Sequence, residues 1–329
     1  MKAVKNYLSL IKFSHTIFAM PFALIGFFLA ISDKPWLLDG QWNLNKTIGW
    51  KPDNYPMLRT IDIDKWDSFK TLNQDYKILA LKLLLIIICM ITARSAAMAF
   101  NRYLDRRFDA LNPRTAIREI PKGIITPQNA LVFTIANCLL FIACCFFINK
   151  LCFFLSPVAL AVVLGYSYTK RFTSLCHLVL GLGLSLAPIG AYLAVTGQFH
   201  WLPILFSFAV LFWVSGFDII YALQDVEFDQ SQNLYSIPAA LGKAKGLRIS
   251  EILHLLSAAS VIAAGKLGNF GWLYWIGVII FGGMLIYQHS IVKPNDLRRV
   301  NIAFMTSNGI ASVLFAVFVI ADLFVAPIR

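Results

Sequence analysis

Asn101, Asp105 and Asp109 recur every four residues in Asn101-Arg102-Tyr103-Leu104-Asp105-Arg106-Arg107-Phe108-Asp109, directly after a long apolar run. A helix turns about 100° per residue, so a four-residue step returns to nearly the same face one turn further on. The spacing predicts a ladder of hard oxygen donors at the end of a membrane helix. Such donors suit Mg²⁺, which takes a few carboxylates together with the oxygens of a bound phosphate. A solvated helix end, with Asp balancing Arg at i,i+4, would use the same residue types. A second acidic stretch weighs toward the metal. Asp218-Ile219-Ile220-Tyr221-Ala222-Leu223-Gln224-Asp225-Val226-Glu227-Phe228-Asp229 again places aspartates at i and i+4, with Asp218 seven residues earlier on a similar face.

The elements that must position these residues are membrane helices. Of 329 residues, 58% are hydrophobic and only 14% are charged, with mean hydropathy +0.69. A soluble chain of that balance could not cover itself with polar surface. Apolar runs of about 20 residues, the length that crosses a bilayer core, recur throughout. The fold class is therefore all-α and polytopic. Nine spans are expected, at about 14–32, 78–99, 130–149, 152–169, 175–195, 201–221, 251–267, 271–288 and 302–324. The run from Ile17 to Ile31 has no small-residue cleavage site after it, so no cleavable signal is expected.

Lys and Arg set the orientation. With the N-terminus inside, every second connection is basic: Lys2, Lys5 and Lys12, then Arg102 to Lys122, Lys170 and Arg171, Lys243 to Arg248, and Lys293 to Arg299. The short outer loops carry only Lys150 and Lys266. This alternation predicts an N-in, C-out topology. The net charge of +12 thus reports topology, and a nucleic-acid partner is not expected. Spans two and six both run inward, so the two acidic stretches end on one membrane face. The basic turn Tyr166-Ser167-Tyr168-Thr169-Lys170-Arg171 shares that face. Arg102, Arg106 and Arg107 read as positive-inside anchors.

Residues 33–77 depart from the pattern as a long outer segment with as many basic as acidic residues. Trp36, Trp42, Trp50 and Trp66 suit the headgroup level, and Pro35, Pro52 and Pro56 argue against one long helix. A short interfacial helix over 61–70 is the only regular element expected there. The cysteines form no CxxC pair and the histidines are scattered, which leaves zinc and haem without support.

Carboxylates gathered on one face repel unless cations neutralise them, and Arg and Lys at the rim can hold phosphate oxygens. The chemistry that follows is a Mg²⁺–diphosphate site at the mouth of a lipidic cavity, suited to an isoprenoid diphosphate. Metal charge lets the allylic C–O bond ionise, and excluding water keeps the cation for an electron-rich acceptor. A secondary transporter is the rival of another class. Transporters place ionisable groups near the bilayer midplane, whereas the span middles here are almost free of charge.

These residues resemble the UbiA superfamily of intramembrane aromatic prenyltransferases. The first motif matches that family's Asn-x-x-x-Asp-x-x-x-Asp, and the second its Asp-x-x-Tyr and Asp-x-x-x-Asp element. The resemblance covers about residues 12–32 and 78–325. The stretches from Lys12 to Leu24, Asn112 to Thr126 and Gly216 to Asp229 look most like the 4-hydroxybenzoate polyprenyltransferase branch. The resemblance implies one domain over 1–329, with nine helices around a central cavity and an outer-face insertion at 33–77. It implies that Asn101, Asp105 and Asp109 hold one Mg²⁺, and that Asp225 and Asp229 hold a second. Lys170 and Arg171 would grip the diphosphate with Arg114 and Arg118, and Asp218 and Tyr221 would line the cavity near the acceptor. The implied partners are a polyprenyl diphosphate, an aromatic acid and the bilayer, and the implied pathway is ubiquinone or menaquinone synthesis. The implied location is a bacterial inner membrane, with the site on the cytoplasmic side. A dihydroxynaphthoate of the futalosine menaquinone route is the alternative acceptor.

Overall fold

The structure, a computed structural model, describes residues 2–11, 18–32 and 72–325. The first half comprises α1 (Lys2–Leu10), α2 (Met20–Ile31), α3 (Leu72–Leu104), α4 (Arg106–Leu111), α5 (Pro127–Ile148), α6 (Lys150–Thr169) and α7 (Cys176–Thr196). The second half comprises α8 (Trp201–Ala222), α9 (Val226–Ser231), α10 (Ile237–Leu241), α11 (Lys243–Leu267), α12 (Trp272–Ile291) and α13 (Asn308–Val325). Among the described residues the only β pairing is the isolated Lys293–Asp296 bridge.

Among the described residues eight helices are long and apolar enough to cross a membrane, and α2 is a shorter apolar helix of 12 residues. The expected first span, 14–32, begins partly outside the described residues, and the expected interfacial helix at 61–70 lies wholly outside them. The last residues of the expected outer segment, 33–77, are helical, because α3 begins at Leu72, ahead of its membrane-spanning stretch from Lys77.

The helix boundaries follow local chemistry. Thr126 caps α5 by accepting from Asn129 N at 3.2 Å, with Pro127 next in the first turn. Asn149 caps α6 by accepting from Cys152 N at 2.8 Å and donates to Leu193 O at 2.8 Å, tying α6 to α7. At the start of α12 the cap comes from a distant residue: Asp322 of α13 accepts from Gly271 N at 2.7 Å. These caps satisfy end groups that the helices leave unpaired.

The core is aromatic and lies around α8. Trp213 and Phe206 are fully buried against Phe22, Phe281 and Phe315 from α2, α12 and α13. Large apolar side chains such as Leu139, Phe154, Ile279 and Ile286 point outward, as a lipid-facing surface requires. Gly26 lets α2 lie directly on α7, because a Cβ there would overlap the Pro188 carbonyl. Gly26→Ala is therefore expected to destabilise the bundle by about 1–3 kcal/mol through overpacking. A lower thermal unfolding midpoint in detergent would register the effect, and an unchanged one would refute this account of the contact.

One irregular turn bears on the site. Residues Ile302–Ser307 form a π-helix, the kind of widened turn that often accompanies function. Asn308 donates to Ala303 O and Phe304 O at 3.3 and 2.9 Å, satisfying carbonyls at that turn. Its amide oxygen accepts from Trp213 Nε1 at 2.9 Å and Gln288 Nε2 at 2.6 Å, which ties the turn to α8 and α12. The turn presents Phe304 to Tyr221, with ring centroids 4.3 Å apart.

Candidate active site

Both acidic motifs sit where a membrane helix breaks. α3 stops at Leu104, Asp105 adopts φ −88°, ψ 6°, and α4 resumes at Arg106. α8 stops at Ala222, a 3₁₀ turn spans Leu223–Asp225, and Asp225 adopts φ −107°, ψ 4° before α9 begins. The middle aspartate of each motif thus lies near the sparsely populated bridge region, where active-site residues collect. This corrects the expectation of an unbroken helical ladder. Four-residue backbone bonds persist, with Asp105 N to Asn101 O at 2.9 Å and Asp109 N to Asp105 O at 2.7 Å. The carboxylates nevertheless turn to different partners.

Asn101 Nδ2 donates to Asp105 Oδ2 at 3.1 Å, and Arg171 Nη2 approaches Asp105 Oδ1 at 3.3 Å. Asp109 Oδ1 accepts from Arg118 at 2.5 Å. Asp225 takes a two-pronged contact from Arg114 through Nε at 3.1 Å and Nη2 at 2.5 Å, and Asn112 adds a donor at 3.2 Å. Asp229 lies 2.7 Å from Lys170 Nζ and accepts from Ser236 Oγ at 3.1 Å. Basic side chains therefore neutralise the four carboxylates that were expected to repel one another. The expected diphosphate grips, Lys170, Arg171, Arg114 and Arg118, are those same partners. Two-pronged Arg–carboxylate pairing is the strongest of these contact types.

Burial pushes the Asp105 carboxyl above its ordinary pKa, with Asp109 adding to the rise and Arg171 and Lys170 opposing it. Burial alone would lower the Lys170 ammonium, but Asp229 and Asp225 hold it above the usual value. The Arg171 guanidinium also lies 4.7 Å from the centre of the Tyr168 ring and 5.6 Å from that of Phe108, a cation–π clamp that fixes its direction. Arg102 departs from its expected role as a surface anchor. It is 3% exposed, with Nη1 3.8 Å from Asp109 Oδ2. Arg107 is exposed, as an anchor should be.

All five cavity aspartates, including Asp218, line one chamber of about 280 Å³ together with Asn101, Lys170, Arg171, Arg114, Arg118 and Tyr221. Beside it lies a second chamber of about 410 Å³, walled by apolar residues such as Ile86, Phe141, Leu155, Val162 and Leu186. The two share Arg94, Met98, Tyr166, Leu180 and Leu184. A charged compartment that opens onto an apolar one fits an amphiphile with an anionic head and a greasy tail.

The donor set suits Mg²⁺. Asp109 Oδ2 is buried without a hydrogen-bond partner, with Arg102 Nη1 3.8 Å away, an oxygen that a closer cation would satisfy. Among the described residues no three His, Cys, Asp or Glu side chains form a self-contained metal cluster. The donors are split between two motifs, as expected where substrate phosphates complete the coordination.

Residues 72–315, which span both motifs and the basic turn, match the UbiA prenyltransferase family. The chain belongs to that family. Among its relatives are two named 4-hydroxybenzoate octaprenyltransferase. The one from Nitrosospira multiformis is 29% identical over 71% of this chain and 80% of its own. The one from Tolumonas auensis is 30% identical over 69% and 79%. A UbiA homologue from Aeropyrum pernix has the same fold, with TM-score 0.69, 25% identity and coverage of 94% of this chain and 97% of that one. A UbiA homologue from Archaeoglobus fulgidus, solved bound to DMAPP and Mg²⁺, aligns at TM-score 0.62 and 19% identity over 97% and 99%. The chain is an integral membrane prenyltransferase.

Within this UbiA fold several cavity residues escaped the motif reading. Arg94 stands seven residues before Asn101 on α3, two turns back on the same face, and that spacing was the available signal. His177 is 2% exposed, and its Nδ1 lies 2.6 Å from Asp218 Oδ2. Metal-ligand spacing in the sequence does not reveal it, because its partner lies on another helix. Asn112, read as part of a loop motif, donates to Asp225. Tyr221 accepts from Arg114 Nη1 at 2.9 Å, so the Tyr of the second motif also steers the arginine.

Proposed function

We propose that this UbiA prenyltransferase transfers a polyprenyl group from a polyprenyl diphosphate to the ring of an aromatic acid of the 4-hydroxybenzoate type, in quinone biosynthesis. The observation that carries the acceptor class is Arg94. Its Nε is buried without a hydrogen-bond partner. No carboxylate of the described residues lies within ion-pair distance of its guanidinium. It stands where the charged and apolar chambers meet. A buried guanidinium in such a place calls for an anion, and the carboxylate of an aromatic acid matches its two-pronged geometry. The names of the relatives point the same way.

The charged chamber takes the diphosphate and the apolar chamber the prenyl tail. Asn101, Asp105 and Asp109 would hold one Mg²⁺, and Asp225 and Asp229 a second. Bound Mg²⁺ supplies charge that offsets what builds up on the departing diphosphate. Lys170, Arg171, Arg114 and Arg118 exchange their aspartate partners for diphosphate oxygens and so hold the leaving group in place. Phe18, Phe217, Tyr221 and Phe304 wall the chamber where the cation forms and exclude water from it. The basic connections support a cytoplasmic location for this face, with N-in, C-out topology. The chain then forms one domain with an outer insertion, of which 33–71 lie outside the described residues.

The test is to incubate membranes containing the protein with Mg²⁺, a labelled polyprenyl diphosphate, and either 4-hydroxybenzoate or a dihydroxynaphthoate. The expected product carries the prenyl group on a ring carbon, with diphosphate released. Products prenylated only on oxygen or nitrogen would sink the assignment, as would a lack of product from any aromatic acid.

A further inference from the structure

Asp218 differs from the other four cavity aspartates in its partner. Asp105, Asp109, Asp225 and Asp229 each face Lys or Arg. Asp218 faces a histidine: His177 Nδ1 lies 2.6 Å from its Oδ2. The hydrogen placement follows from the other ring nitrogen. The backbone N–H of Ile237 donates to His177 Nε2 at 3.4 Å, so Nε2 is the bare nitrogen and Nδ1 carries the hydrogen directed at Asp218. The imidazole is wedged between three elements, α7, α8 and the start of α10, and Ser215 Oγ fixes its carbonyl at 3.1 Å. Asp218 keeps 25% of its side chain accessible and lines the charged chamber, and Oδ2 is the oxygen His177 engages. Asp218, Tyr166 and Arg94 line the same chamber, so the carboxylate shares the compartment where the acceptor would be held.

Ring alkylation needs a base at that place. The allylic C–O bond breaks with its electron pair leaving on diphosphate, and a ring π pair forms the new C–C bond. The alkylated carbon still carries its hydrogen, and the ring regains aromaticity only when that C–H bond gives its pair back to the ring and its proton to an acceptor. Water is excluded from the chamber, and the other four carboxylates are those that would hold Mg²⁺ when the diphosphate is bound, which leaves Asp218 as the carboxylate outside that set.

We propose that Asp218 Oδ1 accepts the ring proton after prenyl transfer, and that His177 is the positioning residue that aims this carboxylate. The inference rests on the aromatic-acid reading above. A histidine N–H partner suits the task, because its hydrogen bond to Oδ2 orients the carboxylate.

The experiment compares 4-hydroxybenzoate with its analogue deuterated at the ring positions beside the hydroxyl, using the full-length protein in membranes with Mg²⁺ and a polyprenyl diphosphate. In the wild type, proton loss follows the slow ionisation, and the two acceptors are expected to react at equal rates. Asp218→Asn keeps the shape and the contact with His177 but is a far weaker base. It is expected to lower kcat about 10²-fold, to leave KM for the prenyl diphosphate unchanged, and to expose a primary deuterium isotope effect. His177→Leu should show the same isotope effect, and His177→Asn, which restores a donor near Nδ1, should reduce it. A purely structural tie between α7 and α8 would change yield and stability without creating an isotope effect. Should Asp218→Asn give no product, diphosphate release is measured instead. Continued release supports the proposal, because ionisation then proceeds without completion, and lost release overturns it. Equal rates for the two acceptors in both Asp218→Asn and His177→Leu overturn it as well. If the wild type yields no ring-prenylated product, the aromatic-acid reading falls, and that result is distinct from a wild type that works and variants without an isotope effect.

Discussion

Asp105→Asn and Asp225→Asn are each expected to lower the rate of prenyl transfer by about 10²–10³-fold, the loss typical of removing one preorganised electrostatic stabiliser. The two residues lie 120 positions apart in sequence, yet they occupy equivalent places, each at the break of a membrane helix and each lining the same chamber. Asn preserves shape and keeps one oxygen. It can still accept from Asn101 or Asn112, so the fold should survive. What it removes is one negative charge from each half of the diphosphate site. One remaining half cannot neutralise the leaving group alone. The double variant should therefore be little worse than either single one, as happens when residues act as a unit. Residual activity should need more Mg²⁺, because the ligand charge has fallen. Single-turnover rates across a Mg²⁺ titration measure both effects. Multiplicative losses with an unchanged Mg²⁺ requirement would show that the two motifs do not serve one diphosphate.

The sequence made the site legible where chemistry demands residue type and spacing together. Aspartates at four-residue steps after two apolar runs, with a basic turn between them, point to the five aspartates of the charged chamber and to Lys170 and Arg171. It could not show the helix breaks at Asp105 and Asp225. A break that preserves the four-residue hydrogen bonds leaves the period of the pattern intact, and the period is all that spacing records. Arg102 misled for a related reason. Next to Arg106 and Arg107 it reads as one more inner-face charge, and only the packing of α3 turns it inward to Asp109. His177 was invisible because its partner, Asp218, comes from another helix 41 residues away. The membrane class was plain from composition, whereas the exact start of α3 was not. Leu72 to Lys77 carry polar residues that continue the helix beyond its apolar stretch.

Arg94→Leu is expected to raise KM for the aromatic acid steeply while leaving diphosphate release from the prenyl substrate close to the wild-type rate. Truncating one partner of a desolvated charge pair costs about 2–5 kcal/mol, which corresponds to roughly 30- to several-thousand-fold in apparent affinity. Leucine fills much of the volume and suits a wall that already contains Met98, Leu180 and Leu184, so the chamber should keep its shape. Substrate truncation supplies the matching half of the test. Phenol lacks the carboxylate, and the wild type should use it worse than 4-hydroxybenzoate by a factor of the same order. In Arg94→Leu the two acceptors should become nearly equal, because the group that told them apart is gone. That loss of discrimination is the informative readout, since a generally damaged site would slow both acceptors and preserve their ratio. A variant that still prefers 4-hydroxybenzoate by the wild-type margin would place the carboxylate on another residue, and Arg94 would then revert to a buried cation held for packing alone.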